Sequence, residues 1–278
     1  MAKKIARYPW RIVLDFAPLA AGQSPLTLAL VLAAGFFAGF IDSIVGGGGL
    51  IQVPALFAAY PNAPPADLLG TNKLGSICGV SGATLRYMRV VTLPWRRLWP
   101  ALCAAFLAAL LGASLVSHVS PSVFRPLVPF MLCAVLVYVL WHKDLGARHA
   151  PREMQGRRLL AAIATIGAIG FYDGFFGPGT GSFLMLLFIR IYGFDFLHAS
   201  AGARAVNVAT NGGALLLFAL QGQVHWAFGL SLGLSNALGS VLGAHTAIKH
   251  GSKFVRAIYI VVVVSLIAKT AFDAIHAT

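Results

Sequence analysis

Asp42–Gly49 reads D-S-I-V-G-G-G-G and Asp173–Thr180 reads D-G-F-F-G-P-G-T, one pattern of an acid followed by glycines inside an apolar run, written twice at a spacing of 131 residues. The correspondence extends outward without a gap. Gly39 meets Gly170, Phe40 meets Phe171, Gly46 meets Gly177, Gly48 meets Gly179 and Phe57 meets Phe188. Downstream, Lys73 falls on Arg204, Gly82 on Gly213, Trp95 on Trp226, Gly112 on Gly243 and Arg125 on Arg256. Chance agreement in apolar sequence favours Leu, Ala and Val, so matches at Asp, Trp and cationic positions mark a duplicated half.

The surroundings of this pattern are those of a bilayer protein. Hydrophobic residues make up 58% of the chain and charged residues 10%, with a mean hydropathy of +0.81. A soluble domain cannot hide that much apolar surface behind so few charges. The net charge of +13 sits in short segments between apolar runs, which assigns it to orientation and to anionic lipid head groups, not to nucleic acid. Cys78, Cys103 and Cys133 lie inside apolar runs without C-x-x-C spacing, so no disulfide framework, metal site or cofactor is expected. The start, M-A-K-K-I-A-R-Y-P-W-R, is basic, but Arg11, Asp15 and Pro18 interrupt any short apolar core, which argues against a cleaved signal peptide.

Long apolar runs occupy Leu26–Val45, Ala66–Leu85, Leu98–Ser117, Val123–Leu140, Leu159–Phe176, His198–Leu220, Trp226–Ile248 and Phe254–Phe272, each long enough to cross as a helix. Two shorter runs, Leu50–Tyr60 and Gly181–Tyr192, follow the glycine breaks. The fold class that follows is an all-α polytopic integral membrane protein of two homologous halves, inverted repeats with glycine-broken helices, eight long spans plus two short half-helices. Its divisions are a basic segment at 1–25, a first repeat at 26–141, a basic linker at 142–158 and a second repeat at 159–278.

Charge decides between topologies, because Lys and Arg prefer the cytoplasmic side. Arg86, Arg89, Arg96 and Arg97 crowd the connection near Trp95, whereas the matching Q-G-Q-V-H before Trp226 has none. The next connection reverses the bias, with Lys249, Lys253 and Arg256 against Arg125 alone. Placing both rich loops and the linker inside makes the short runs cross, giving two inverted sets of five spans. That arrangement leaves Lys3, Lys4, Arg7 and Arg11 outside, against the charge rule. The competing arrangement has eight spans, two re-entrant segments and parallel copies, and it strands Lys249, Lys253 and Arg256 outside.

The stretch G-F-I-D-S-I-V-G-G-G-G-L-I-Q-V-P-A-L, followed by L-L-G-T-N-K-L at Leu68–Leu74, resembles the signature of the sulfite exporter TauE/SafE family of membrane transporters. Gly170–Phe183 is similar to that family's second signature, and Ala205–Asn211 carries asparagines where such proteins have them. The resemblance covers about residues 26–275. It implies movement of small anions, often sulfur-containing oxyanions or organosulfonates, across the inner membrane. The second copy departs from the first in having Gly202-Ala203-Arg204 where the first has Thr71-Asn72-Lys73.

The residues support the same reading on physical grounds. Glycines at 46–49 and at 177, 179 and 181, with Pro178, break helix continuity. Irregular backbone survives in a membrane only when buried in protein or lining a polar cavity. The freed N–H groups of Gly47, Gly48, Gly49, Gly179, Thr180 and Gly181, at the positive end of the following half-helix, form a candidate oxyanion receptor; close helix packing through small residues is the alternative. Lys73 and Arg204 are the candidate substrate cations, and a structural ion pair within each copy, Asp42 with Lys73 and Asp173 with Arg204, is the competing expectation. Asp42 and Asp173 are candidates for charge compensation or for coupling to a proton or sodium ion. Thr71, Asn72, Asn207 and Asn211 supply neutral donors, with Ser76, Ser81, Thr210, Gln52 and Tyr172 behind them. Trp95 and Trp226 read as interfacial anchors, Arg190 as a snorkelling head-group contact, and His198, His225 and His245 as satisfied polar contacts.

A secondary transporter is the leading expectation, since no G-x-x-x-x-G-K-[S/T] phosphate loop is present. An anion channel built on the same cations is the alternative. An intramembrane aspartyl enzyme is disfavoured: no G-x-G-D occurs and each Asp has a cation at a matching interval. No catalytic residues are assigned. The expected partners are a small anionic solute, a coupling ion and membrane lipids, with a homodimer left open.

Overall fold

The structure, a computed structural model, describes residues 24–116, 118–119 and 150–276. Helix α1 (Pro25–Val45) starts where the Ser24 hydroxyl accepts the Thr27 N–H and Pro25 presets the first turn, and it stops at Gly46, whose φ of 83° is left-handed. Three residues later the chain restarts as α2 (Gly49–Ala59). Helices α3 (Pro65–Tyr87) and α4 (Trp95–Val116) complete the described part of the first repeat.

The second repeat follows the same plan. Helix α5 (Gly156–Phe175) breaks at a turn containing Gly177 and Gly179, restarts as α6 (Thr180–Leu187) and widens into a π turn at Phe188–Tyr192. Helix α7 (Phe196–Leu220) is capped by Asp195, and α8 (Trp226–His276) is interrupted at Gly251, where φ is 72° and ψ −171°. Repeat-equivalent helices thus begin at equivalent residues: Pro25 and Gly156, Gly49 and Thr180, Pro65 and Phe196, Trp95 and Trp226. Both short runs after the glycine breaks are helical, as their apolar pattern predicts.

Among the described residues, five helices are long and apolar enough to cross a membrane: α1, α4, α5, α7 and the first arm of α8, Trp226–Gly251. Helix α3 has 23 residues but carries the polar set around Asn72 and Lys73, all buried. The run at Val123–Leu140 and the amino-terminal basic segment fall outside the described residues. Helix α5 begins three residues before the expected boundary, and the residues preceding it are tied down: Arg152 N–H donates to the Tyr192 carbonyl and Met154 is buried.

The packing is inverted relative to a soluble protein. Along α8, Leu230, Leu234, Leu238 and Leu242 form an exposed stripe at four-residue spacing, while Gly229, Gly233, Gly239 and Gly243 face other helices. Small residues inside let backbones approach, and leucines outside meet lipid tails. These contacts fix helix directions. Gly35 and Gly39 of α1 lie on Leu232 and Asn236 of α8, and Leu74 and Cys78 of α3 lie on Gly229 and Gly233, so α1, α3 and α8 run parallel. Ala105 and Ala109 of α4 meet Gly170 and Gly174 of α5, again parallel. Helices α3 and α7 run antiparallel: Gly70 packs on Phe218, and Ile77 on Gly212.

One consequence is the gathering of charge. The Arg86 Nη2 at the end of α3 meets His245 Nδ1 near the end of α8's first arm at 2.7 Å. The starts of α4 and α5 share a level because those helices are parallel. Arg86, Arg89, Arg96 and Arg97, the linker residues Arg152, Arg157 and Arg158, and Lys249 and Lys253 therefore all lie toward one end of the helix set.

Candidate functional site

The two helix breaks lie against each other. The Ser182 N–H donates to the Gly46 carbonyl at 3.2 Å, and a Cβ on Gly181 would meet the Gly46 backbone. A helix that ends inside protein leaves carbonyls without partners, and here α1 borrows donors from its surroundings. Tyr87 Oη donates to the Ser43 carbonyl at 2.8 Å, Ser200 Oγ to that of Ile44 at 3.1 Å and Ser182 Oγ to that of Val45 at 3.0 Å. The break in α5 is held by Tyr172 Oη on the Pro178 carbonyl at 2.6 Å and by Thr180 Oγ1 on that of Gly177, also at 2.6 Å.

A polar cavity of ≈ 40 Å³ opens between the breaks, room for two or three water-sized groups. Its lining follows the duplication. Asp42 and Asp173, Gly46 and Gly177, Gly48 and Gly179, Gly49 and Thr180, Ser76 and Asn207, and Val80 and Asn211 are six repeat-equivalent pairs, and both members of each line the cavity. Asn72, Lys73, Gly181 and Asn236 complete it without their repeat mates.

Lys73 is buried to 2% relative exposure, and its Nζ meets Asp173 Oδ1 at 2.9 Å and the Asp173 carbonyl at 2.6 Å. Gly177, with φ 99°, leaves the space this needs: a Cβ there would sit 3.0 Å from Lys73 Nζ. The ion pair thus joins the two repeats, which corrects the expectation that each copy neutralises its own acid. Packing of α3 against the second half, antiparallel to α7, brings Lys73 to the acid of the other copy, a relationship that a shared sequence interval does not encode. Arg204, the mate of Lys73, is fully buried and does not line the cavity, with Nη1 on the Ser200 carbonyl at 3.1 Å. Its Nε and Nη2 make no hydrogen bond among the described residues.

Of the other sequence candidates, Asn72, Asn207, Asn211, Gly48, Gly49, Gly179, Thr180 and Gly181 reach the cavity. Gly47 does not line it, and Thr71 accepts the His225 N–H with its hydroxyl. Thr180 Oγ1 lies 3.1 Å from Asp173 Oδ1, and the Gly48 N–H donates to Asp42 Oδ1 at 3.1 Å. Asn236 escaped the sequence reading. It lines the cavity, donates to Gln52 Oε1 at 2.6 Å and fills the space left by Gly39 and Gly79. Its signal was available as a lone amide in the Trp226–Ile248 run, matched by Ala105 in the other copy. Away from the site, His198 pairs with Asp195 and His225 with Asp67, while Trp95 and Trp99 line a separate apolar groove between α3, α4 and α7.

The profile of the sulfite exporter TauE/SafE family matches residues 31–270. The chain belongs to the TauE/SafE family. It is 39% identical over 252 residues to the probable membrane transporter protein YfcA of Escherichia coli (strain K12), covering 90% of this chain and 91% of that protein. It is 36% identical over 246 residues to a probable membrane transporter protein of Haemophilus influenzae, covering 88% of this chain and 95% of that one. Probable membrane transporter protein ORF9 of Sinorhizobium sp is 36% identical over 249 residues, 90% of this chain and 94% of its own. No solved structure matches the chain. As a TauE/SafE member with five candidate spans, the chain is a multi-pass membrane protein, and the relatives are named as transporters, not enzymes.

Proposed function

We propose that the chain is a secondary transporter that moves a small anion across the bacterial inner membrane, by exchange between two repeat-related conformations. The anion is a sulfur-containing oxyanion or an organosulfonate or organic acid. The observation that carries the reading is the cavity itself. It is enclosed by two broken helices, lined by six repeat-equivalent pairs and served by Lys73, which is the design expected of a substrate site at a repeat interface. Its volume suits a sulfite-sized or sulfonate head group, with any organic tail outside.

Inverted repeats of five spans are part of this proposal. The antiparallel course of α3 and α7, which are repeat mates, supports them, as does the common level of the three basic segments. The parallel-copy arrangement would separate Arg86 from the Lys249 end of α8. Asymmetry supports a two-state cycle: Lys73 engages Asp173, while Arg204 lies off Asp42, and Gly48 is right-handed with φ −58° where its mate Gly179 has φ 82°. Reversing that asymmetry in the other state would pair Arg204 with Asp42 and release Lys73 to the anion.

The test is uptake of radiolabelled sulfite, sulfate, sulfoacetate and lactate into proteoliposomes. Saturable flux of one anion supports the reading. No flux of any of them under imposed gradients would remove the anion class.

A further inference from the structure

Asp42 and Asp173 occupy the last turns of α1 and α5. That is the negative end of each helix dipole, where a carboxylate is disfavoured and a cation favoured. Asp173 has its cation in Lys73, bonded to both the carboxylate and the carbonyl of that turn. Asp42 does not. Its Oδ1 takes the Gly48 N–H, and its Oδ2 is buried without a hydrogen-bond partner among the described residues. Arg204, which stands where Lys73 stands in the other copy, directs Nη1 at Ser200 instead.

The orphaned side-chain atoms of the cavity residues are all oxygens: Asp42 Oδ2, Asp173 Oδ2, Asn72 Oδ1 and Asn207 Oδ1. Asn72 and Asn207 are 4% and 5% exposed, so solvent does not serve them. Turning either amide over changes one atom and leaves both carboxylate oxygens as they are. Buried acceptors without donors are costly, and hard oxygens around a small space suit a hard cation. A proton would satisfy one carboxylate oxygen and leave the amide oxygens unserved; an ion with several oxygen ligands serves them together.

We propose that Asp42, with the side-chain oxygens of Asn72 and Asn207, binds a sodium ion at the end of α1, filling for Asp42 the role Lys73 fills for Asp173. Its part in coupling rests on the transporter reading: sodium holds Asp42 in the state in which Lys73 engages Asp173, and gives way to Arg204 in the state in which Lys73 receives the anion. The site itself does not depend on that reading.

The test is thermal unfolding of the purified full-length protein in detergent, with no sulfur or organic anion present, in NaCl, KCl or choline chloride at constant ionic strength. Sodium should raise Tm saturably by about 5 °C or more relative to choline. Asp42→Asn should abolish the rise, Asn207→Ala should shift its midpoint to about tenfold higher sodium, and Asp67→Asn, outside the cavity, should keep it. Radioactive sodium binding to the wild type, competed by sodium and not by potassium, checks the site without any variant. Absence of both a sodium-specific Tm rise and sodium binding, or a response that survives Asp42→Asn, would overturn the proposal. Because no anion flux is measured, failure of the transport reading leaves this result standing, and the reverse holds.

Discussion

Lys73 of the first half and Asp173 of the second are joined at 2.9 Å in a fully enclosed ion pair, with Lys73 Nζ also 2.6 Å from the Asp173 carbonyl. The contact fastens α3 to the broken end of α5 and so ties the two repeats across the cavity. Removing one partner strands a buried charge, which costs about 3–5 kcal/mol, whereas replacing both by apolar groups is often neutral. Lys73→Ala should therefore lower Tm sharply, and Lys73→Met with Asp173→Leu should recover most of the loss. Thermal unfolding of the two variants checks this. The double variant should remain inactive in transport despite its recovered stability, which separates the structural role of the pair from its functional one.

The contact between the two breaks has no room for a side chain. Gly46 has φ 83°, and a Cβ there would meet the Gly181 backbone, whereas Gly222 has φ 71° with nothing within 4 Å. Gly222→Ala should cost only the left-handed strain of about 1–2 kcal/mol. Gly46→Ala adds a backbone collision and should abolish recovery of monodisperse protein. Size-exclusion profiles of the two variants give the comparison.

Among the described residues, Asn236 supplies the only hydrogen bond to the Gln52 side chain. Asn236→Ala should destabilise by about 1–3 kcal/mol through the buried acceptor it orphans. Gln52→Leu combined with Asn236→Leu removes both polar groups, and Gly39 and Gly79 leave no space for the larger side chain at 236. Melting curves should therefore show the double variant to be no more stable than Asn236→Ala.

Sidedness is open to a direct check. With Cys78, Cys103 and Cys133 replaced by Ala, single cysteines at Arg89 and Lys253 should be protected from a membrane-impermeant thiol reagent in intact cells. One at Gln223 should be labelled. Labelling at Lys253 together with protection at Arg89 would restore the parallel-copy arrangement.

Much of this was legible in the residues. The 131-residue repeat located both breaks, and Gly46 and Gly177 are left-handed because only glycine adopts that backbone without strain. Asn72, Asn207 and Asn211 stood out as amides in apolar helices, and all three line the cavity. What a linear spacing does not carry is which half packs on which. Lys73 bonds Asp173 across 100 residues while its own-copy acid Asp42 takes a backbone N–H. Arg204 does not line the cavity, and in its copy Gly202, packed on the Phe188 ring, and Ala203 stand where the first copy has Thr71 and Asn72. Asn236 was hidden for a related reason. Its partner Gln52 lies 184 residues away, and its repeat mate is Ala105.

The central claim, a two-state anion transporter working at the repeat interface, is met most directly by counterflow in proteoliposomes. Vesicles preloaded with the transported anion and diluted into trace label should accumulate label transiently. Wild type should show this trans-stimulation with saturation in external anion, and Arg204→Gln, which stays uncharged where Asp42 needs a cation, should lose it while the folded protein is still recovered. Flux that rises linearly with concentration and shows no trans-stimulation in the wild type would contradict the account and make the cavity part of a channel.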